Sequence, residues 1–237
     1  MVDDGSTDDS FHEVDGLPLR YIWKENGDIS SARNCGIRET HGEYISFLDV
    51  DDLWQKNKLS LQMECMESES ASISYTNEVW IRNGRRLNQR LRHRKYTGFI
   101  FEYCLPLCII SPSSVVIRRE IFHTVGLFDE SLPVCEDYDM WLRISAQFPI
   151  LFIDKPLIIK RGGHEDQLSK RYEAMDKYRI QSLVKLLKTG SLDENQRNKT
   201  IMELEKKCMI YAHGARKRGK VEEAEEYLSI ITQYKRQ

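Results

Sequence analysis

Three carboxylates fall within four positions at Asp49-Val-Asp51-Asp52, where the apolar run Tyr44-Ile-Ser-Phe-Leu stops. A run of that length suits a buried strand. Acids at its carboxyl end enter the space where open α/β sheets bind ligands. Asp49 and Asp51 stand two apart, so an extended backbone turns both the same way and lets them share one hard cation. Mg²⁺ or Mn²⁺ suits such a pair, because both take carboxylate and phosphate oxygens together. A plainer role exists for Asp52, which is expected to cap the helix that follows. An EF-hand loop starting at Asp49 would need Gly sixth and Glu twelfth; Trp54 and Ser60 stand there, which excludes it. A phosphatase with an aspartyl nucleophile remains an alternative.

A second acidic group lies far along the chain, in Glu136-Asp137-Tyr-Asp-Met-Trp-Leu-Arg143. The segment reads as a helix with Met140, Trp141 and Ile144 inward and the first two acids at its N-terminus. The helix dipole alone favours acids there; in a cleft, one of them can serve as a general base. Further on, Arg161-Gly-Gly-His164 reads as a flexible loop. A lone histidine in a loop is usually just solvated, whereas the paired glycines suggest a segment that moves.

These groups need elements to carry them. The chain opens on Met1-Val-Asp-Asp4-Gly-Ser-Thr-Asp8, which reads as the end of a strand turning into a helix, and a strand of two residues could hardly hold its place. The opening therefore looks as if an earlier part were missing. Pro18 to Trp23 suits another strand. Asn26-Gly27 is a turn, and Ser30 or Ser31 starts a helix running to about His41. Its N-terminus and Arg33 favour an anion or a base carbonyl. Trp54 to Glu69 reads as an amphipathic helix with Leu59, Met63 and Met66 inward. Residues 72–80 alternate as a strand that ends at the Asn83-Gly84 hairpin turn. Ser113 to Ile117 is a strand, Glu120 to Val125 a short helix closed by Gly126, and Ile150 to Ile159 short strands broken by Lys155-Pro156. From Ser169 onward the pattern is helical in three pieces, divided near Gly190 and Gly219, and expected to cover an apolar surface of the main body.

Composition narrows the classes. With 237 residues, 41% hydrophobic and 30% charged, the chain can bury one large core. A net charge of −2 gives no general reason to expect nucleic acid. Locally, Arg82 to Lys95 holds seven Arg or Lys residues, either a solvated hairpin or an edge facing anions or acidic lipids. No stretch approaches the roughly 20 apolar residues of a membrane span, and the first residues are acidic, so a cytoplasmic location is expected. Peripheral membrane contact stays open. The six cysteines lack metal-finger spacing and read as reduced thiols.

Together, five pieces resemble the family 2 glycosyltransferases, whose catalytic domain has the GT-A fold. They are Val2-Asp-Asp-Gly-Ser-Thr-Asp8; Asn26-Gly with Ala32-Arg-Asn-x-Gly36; Gly42-Glu-Tyr-Ile with Phe47-Leu-Asp-Val-Asp-Asp52 and Trp54; Gly126-x-Phe-Asp129; and Glu136-Asp-Tyr-Asp-x-Trp-Leu-Arg143. Each alone is weak; their joint order is specific. The resemblance implies an α/β, GT-A-like, mostly parallel sheet flanked by helices over residues 1–170, lacking its N-terminal strand-helix unit. A C-terminal helical extension takes residues 171–237. It implies transfer of a sugar, with inversion, from a nucleotide-diphosphate donor expected to be UDP-linked. The acceptor would be a saccharide or lipid-linked hydroxyl in polysaccharide or glycoconjugate synthesis. By position, Asp4 would accept a hydrogen bond from the base, Arg33 would lie beside it and Asp49 would face the ribose. Asp51 would bind Mn²⁺ or Mg²⁺, His164 would add a metal or phosphate contact, and Asp137 would be the general base. The rival reading is an inactive, glycosyltransferase-derived binding protein.

Overall fold

The computed structural model describes residues 1–163, 172 and 174–235. Its strands lie in two sheets. The smaller pairs β1 (Val2–Asp3) with β2 (Ile22–Trp23) in parallel, with Val2 opposite Ile22. The larger has the order β3-β7-β5-β8-β4, with β6 (Arg85–Leu87) paired to β5 (Ile73–Arg82). Here β3 is Tyr44–Ile45, β4 Leu53–Trp54, β7 Val115–Arg118 and β8 Leu151–Gly162. The larger sheet is not the mostly parallel one expected: β5 and β8 run parallel, whereas the β3–β7, β5–β7, β4–β8 and β5–β6 pairs are antiparallel. Helices α1 (Ser10–Val14), α2 (Asp28–Glu39), α3 (Lys58–Ser68), α4 (Phe101–Cys104), α5 (Glu120–Val125) and α6 (Glu136–Ser145) flank the sheets.

The apolar run before the acids is shorter as a strand than its composition suggests. Only Tyr44–Ile45 pairs, at one edge of the larger sheet, and Leu48 and Val50 are exposed. The chain leaves the sheet there and closes a turn in which the Asp52 N–H donates to Asp49 O at 3.0 Å, so Asp49 and Asp51 do not stand on the extended backbone that their spacing suggested. Asp52 does not cap a helix, because α3 starts six residues later behind Asn57. Its backbone enters β4 against β8, and its Oδ1 accepts the Arg161 N–H at 3.2 Å.

Helix α3 buries Met66 as expected, but Lys58 and Gln62, at the same four-residue spacing, share its inward face, while Leu59 is exposed. Polar side chains occupy that face because they have partners. Lys58 Nζ donates to Ser46 Oγ at 2.8 Å and lies 4.1 Å from the Trp54 ring centre, and Gln62 Nε2 donates to Ser114 O at 2.9 Å. Residues 150–159 are likewise not broken strands: β8 is continuous through Pro156, which sits opposite Asn77 at shifts in register. A bulge absorbs the donor that proline lacks.

The core includes Tyr75, Ile117, Tyr138, Met140, Trp141 and Ile144, all nearly inaccessible. It continues into α7 (Asp176–Lys188), α8 (Glu194–Lys217) and α9 (Val221–Lys235) through Leu183, Cys208, Ala215 and Ala224. Asp193 caps α8 in a reciprocal pair with Gln196, whose Nε2 also reaches Ala146 O at 2.9 Å. Of the three helices, α7 packs against α6, α8 packs on α7 and α9 on α8, and they break near Gly190 and Gly219 as the sequence indicated. The six cysteines are free. Among the described residues, no helix is long and apolar enough to cross a membrane.

Candidate active site

Helix α2 ties the acidic stretches together through Arg33, which is 8% exposed. Its NH2 donates to Asp49 Oδ1 at 2.7 Å, its NH1 to Glu136 Oε1 at 2.6 Å, and its guanidinium lies 5.4 Å from the Phe128 ring centre. Two carboxylates therefore flank one buried cation. Burial opposes that charge, and Asp49 and Glu136 overcome it, so the Arg33 pKa rises. Neighbouring Asn34 fixes the loop that supplies Phe128: Nδ2 donates to Phe128 O and Oδ1 accepts Phe128 N–H, each at 2.9 Å.

The turn carrying the first acids is held from two sides. Ser113 Oγ accepts the Asp49 N–H at 3.1 Å, and Ser113 O accepts the Trp54 indole N–H at 2.8 Å. Asp52 is buried, with an Oδ2 that has no hydrogen-bond partner among the described residues. Burial pushes its carboxyl up to about 6.

On the other side, Cys135 adopts a left-handed conformation (φ 62°) and aims the first turn of α6 at Arg33. Glu136 is buried, and burial together with Asp137 pushes its carboxyl up to about 7 against the opposing effect of Arg33. Asp137 is half-buried. Its Oδ1 accepts the Tyr138 N–H at 2.7 Å, and its Oδ2 accepts the Cys108 S–H at 3.3 Å. Burial and Asp137 keep the Cys108 thiol protonated, so it remains a donor. Lys160 on β8 completes this environment: burial works against its charge, while Glu78, Asp52, Asp137 and Asp49 raise its pKa.

Asp4 stands at the start of this arrangement. Its Oδ1 accepts Lys24 Nζ at 2.6 Å and Gly27 N–H at 3.1 Å, and Asn26 Nδ2 donates to its carbonyl at 3.0 Å. The chain can come this close because of Gly5 (φ 79°), where a Cβ would meet Asn26 N at 2.9 Å. Asp4 thus borders the N-terminus of the helix that carries Arg33. Asp129 does not join the group: it pairs with Lys185 Nζ at 2.7 Å and lines a cavity of about 300 Å³ on the side of α7. His164 lies outside the described residues.

The family model "Glycosyl transferase family 2" matches residues 1–126, more than half of the chain. The chain belongs to glycosyl transferase family 2. It is 36% identical, over 73% of its length, to an uncharacterised glycosyltransferase of Rickettsia bellii, of which it spans 26%. A further relative is the Escherichia coli WfaP, "UDP-Glc:alpha-D-GlcNAc-diphosphoundecaprenol beta-1,3-glucosyltransferase". Identity there is 31%, over 62% of this chain and 58% of WfaP. The chain therefore spans from about a quarter to just under three fifths of these relatives. A crystal structure of S. aureus TarS 1-349 in complex with UDP-GlcNAc superposes with a TM-score of 0.69. It covers 98% of this chain and 71% of that one at 20% identity, a likeness of fold.

Membership of family 2 decides against the aspartyl-phosphatase alternative and accounts for the α/β sheet flanked by helices. Sequence reasoning named Asp4, Arg33, Asp49 and Asp137 but missed how Arg33 is used. It also missed Glu136 as a partner, along with Ser113, Cys108 and Lys160. Glu136 could have been suspected from its place beside Asp137. Ser113, Cys108 and Lys160 carry no local pattern, because their roles exist only across strands.

Proposed function

We propose that this family 2 chain transfers a sugar from a UDP-linked donor to an acceptor hydroxyl, with inversion, in the assembly of a polysaccharide or glycoconjugate. The observation that carries this reading is the Asp49–Arg33–Glu136 bridge, which joins the acidic turn to the N-terminus of α6. WfaP, a UDP-Glc-dependent glucosyltransferase by name, and the TarS complex with UDP-GlcNAc support the choice of donor.

Asp4 accepts a hydrogen bond from the base, Asp49 faces the ribose and the Arg33 guanidinium holds the Asp49 carboxylate in place. Asp51, two positions from Asp49, would hold Mn²⁺ or Mg²⁺. Among the described residues no group of three or more His, Cys, Asp or Glu could hold a metal. That donor set fits a cation that draws its remaining ligands from diphosphate oxygens and water, the usual arrangement for Mg²⁺. The bound ion supplies charge neutralisation for the departing diphosphate. His164 is proposed as an additional contact.

Asp137 removes the proton from the acceptor oxygen as that oxygen bonds to the anomeric carbon. The bond from that carbon to the diphosphate breaks in the same displacement, so the configuration inverts and no covalent enzyme intermediate forms. The Cys108 S–H steadies Asp137 Oδ2 without competing as a base, since the thiol stays protonated. Replacing Asp137 with Asn should leave UDP binding intact and lower transfer by about 10²–10⁴-fold. Undiminished transfer would show that another group is the base.

A further inference from the structure

The strand β5 ends in a basic edge that glycosyl transfer does not explain. From Arg82 to Lys95 the chain carries seven Arg or Lys, and no acid stands between Glu78 and Glu102. Arg82, Arg85, Arg86, Arg90, Arg92 and Arg94 are all exposed. None of them forms an ion pair among the described residues, and Arg94 lies over the Tyr96 ring at 5.5 Å. Lys95 is the exception: it is buried against Glu78 at 2.6 Å and anchors the end of the loop. Gln89 Nε2 adds a bond to Glu78 O at 2.8 Å, and Tyr75 OH donates to Tyr96 O at 2.9 Å. The base of the loop is thus fixed while its arginines point outward.

Apolar side chains are interleaved with those charges. Leu91, in the turn between Arg90 and Arg92, is 93% exposed; Phe99 is 71% and Leu87 42% exposed. Guanidinium groups pair with phosphates in bidentate fashion. Apolar side chains beside them can enter the boundary beneath lipid headgroups.

We infer that the edge formed by residues 82–99 docks this chain on an anionic phospholipid surface. The arginines meet the lipid phosphates, and Leu91 inserts at the centre of the contact. A nucleic acid fits less well. The net charge is −2, so a long polyanion would run from this edge onto an otherwise acidic molecule. The inference does not depend on the transferase reading.

Vesicle flotation of the full chain tests it, using vesicles of phosphatidylcholine alone or of phosphatidylcholine with phosphatidylglycerol. The chain should float with the anionic vesicles only, and less so as salt rises. Each basic residue at such a surface is worth roughly fivefold in partitioning, so R90Q/R92Q should lower it about 25-fold. Leu91→Ser should also lower it. Circular dichroism and UDP binding should be unchanged in both variants, which separates failure here from failure of the transferase reading. Equal binding to neutral vesicles, no binding to anionic ones or undiminished binding by R90Q/R92Q would each overturn the inference. So would tighter binding to a duplex oligonucleotide than to anionic vesicles.

Discussion

Arg33 and Glu136 stand 103 positions apart in the chain and are joined by a charge-assisted hydrogen bond of 2.6 Å. Through the second arm of the same guanidinium, Glu136 is coupled to Asp49 at the acidic turn. One side chain on α2 therefore sets the spacing between the proposed donor side and the proposed acceptor side.

Removing Arg33 should be costly. Arg33→Ala leaves Glu136 buried and ionisable without a partner, and breaking such a pair typically costs about 3–5 kcal/mol. Urea denaturation should register a loss of that order. Adding Glu136→Gln should restore part of it, because no buried carboxyl then has to take up a proton to lose its charge. A double variant no more stable than Arg33→Ala would mean that the Asp49 arm dominates.

Asp52 predicts a pH dependence. Its folded carboxyl is raised from 3.8 to about 6 by burial. The folded state therefore holds the proton more tightly than the unfolded chain does. The sign follows: relative stability is greatest below about pH 4 and falls as pH rises through about 6. Asp52→Asn should flatten that slope, gaining about 2 kcal/mol on the parent between pH 4 and pH 7. Thermal melts across that range would test it, and parallel curves would contradict it.

Gly5 is predicted to be intolerant. Its φ is 79°, and a Cβ would lie 2.9 Å from Asn26 N, a backbone atom that cannot rotate away. Gly5→Ala should cost at least 1–2 kcal/mol from the left-handed backbone alone, roughly. It should also weaken UDP binding by displacing Asp4, measurable by calorimetry on the folded fraction.

The motifs were readable because each acid follows a local signal: the end of an apolar run for Asp49 and Asp51, or the start of an amphipathic helix for Glu136 and Asp137. The helix breaks at Gly190 and Gly219 and the Asn83-Gly84 turn were readable for the same reason. Asn83 and Gly84 both have positive φ, 49° and 73°, as a two-residue hairpin requires. What escaped was settled by contacts between distant segments. Lys58 carries no local signal of burial, yet it is buried because Ser46 Oγ and Val115 O accept its protons. Pro156 reads as a strand breaker, and only the register shift opposite Asn77 lets β8 pass through it. Asp52 reads as a cap because its true partner, the Arg161 N–H, lies 109 positions away.

Isothermal titration of UDP in the presence of Mn²⁺ decides whether Asp51 holds a nucleotide-bound cation. The parent chain should bind with measurable heat, and Asp51→Ala should abolish it while the melting profile stays unchanged. Equal heats from both proteins would contradict the assignment of Asp51. No heat from the parent would contradict the nucleotide-sugar reading itself.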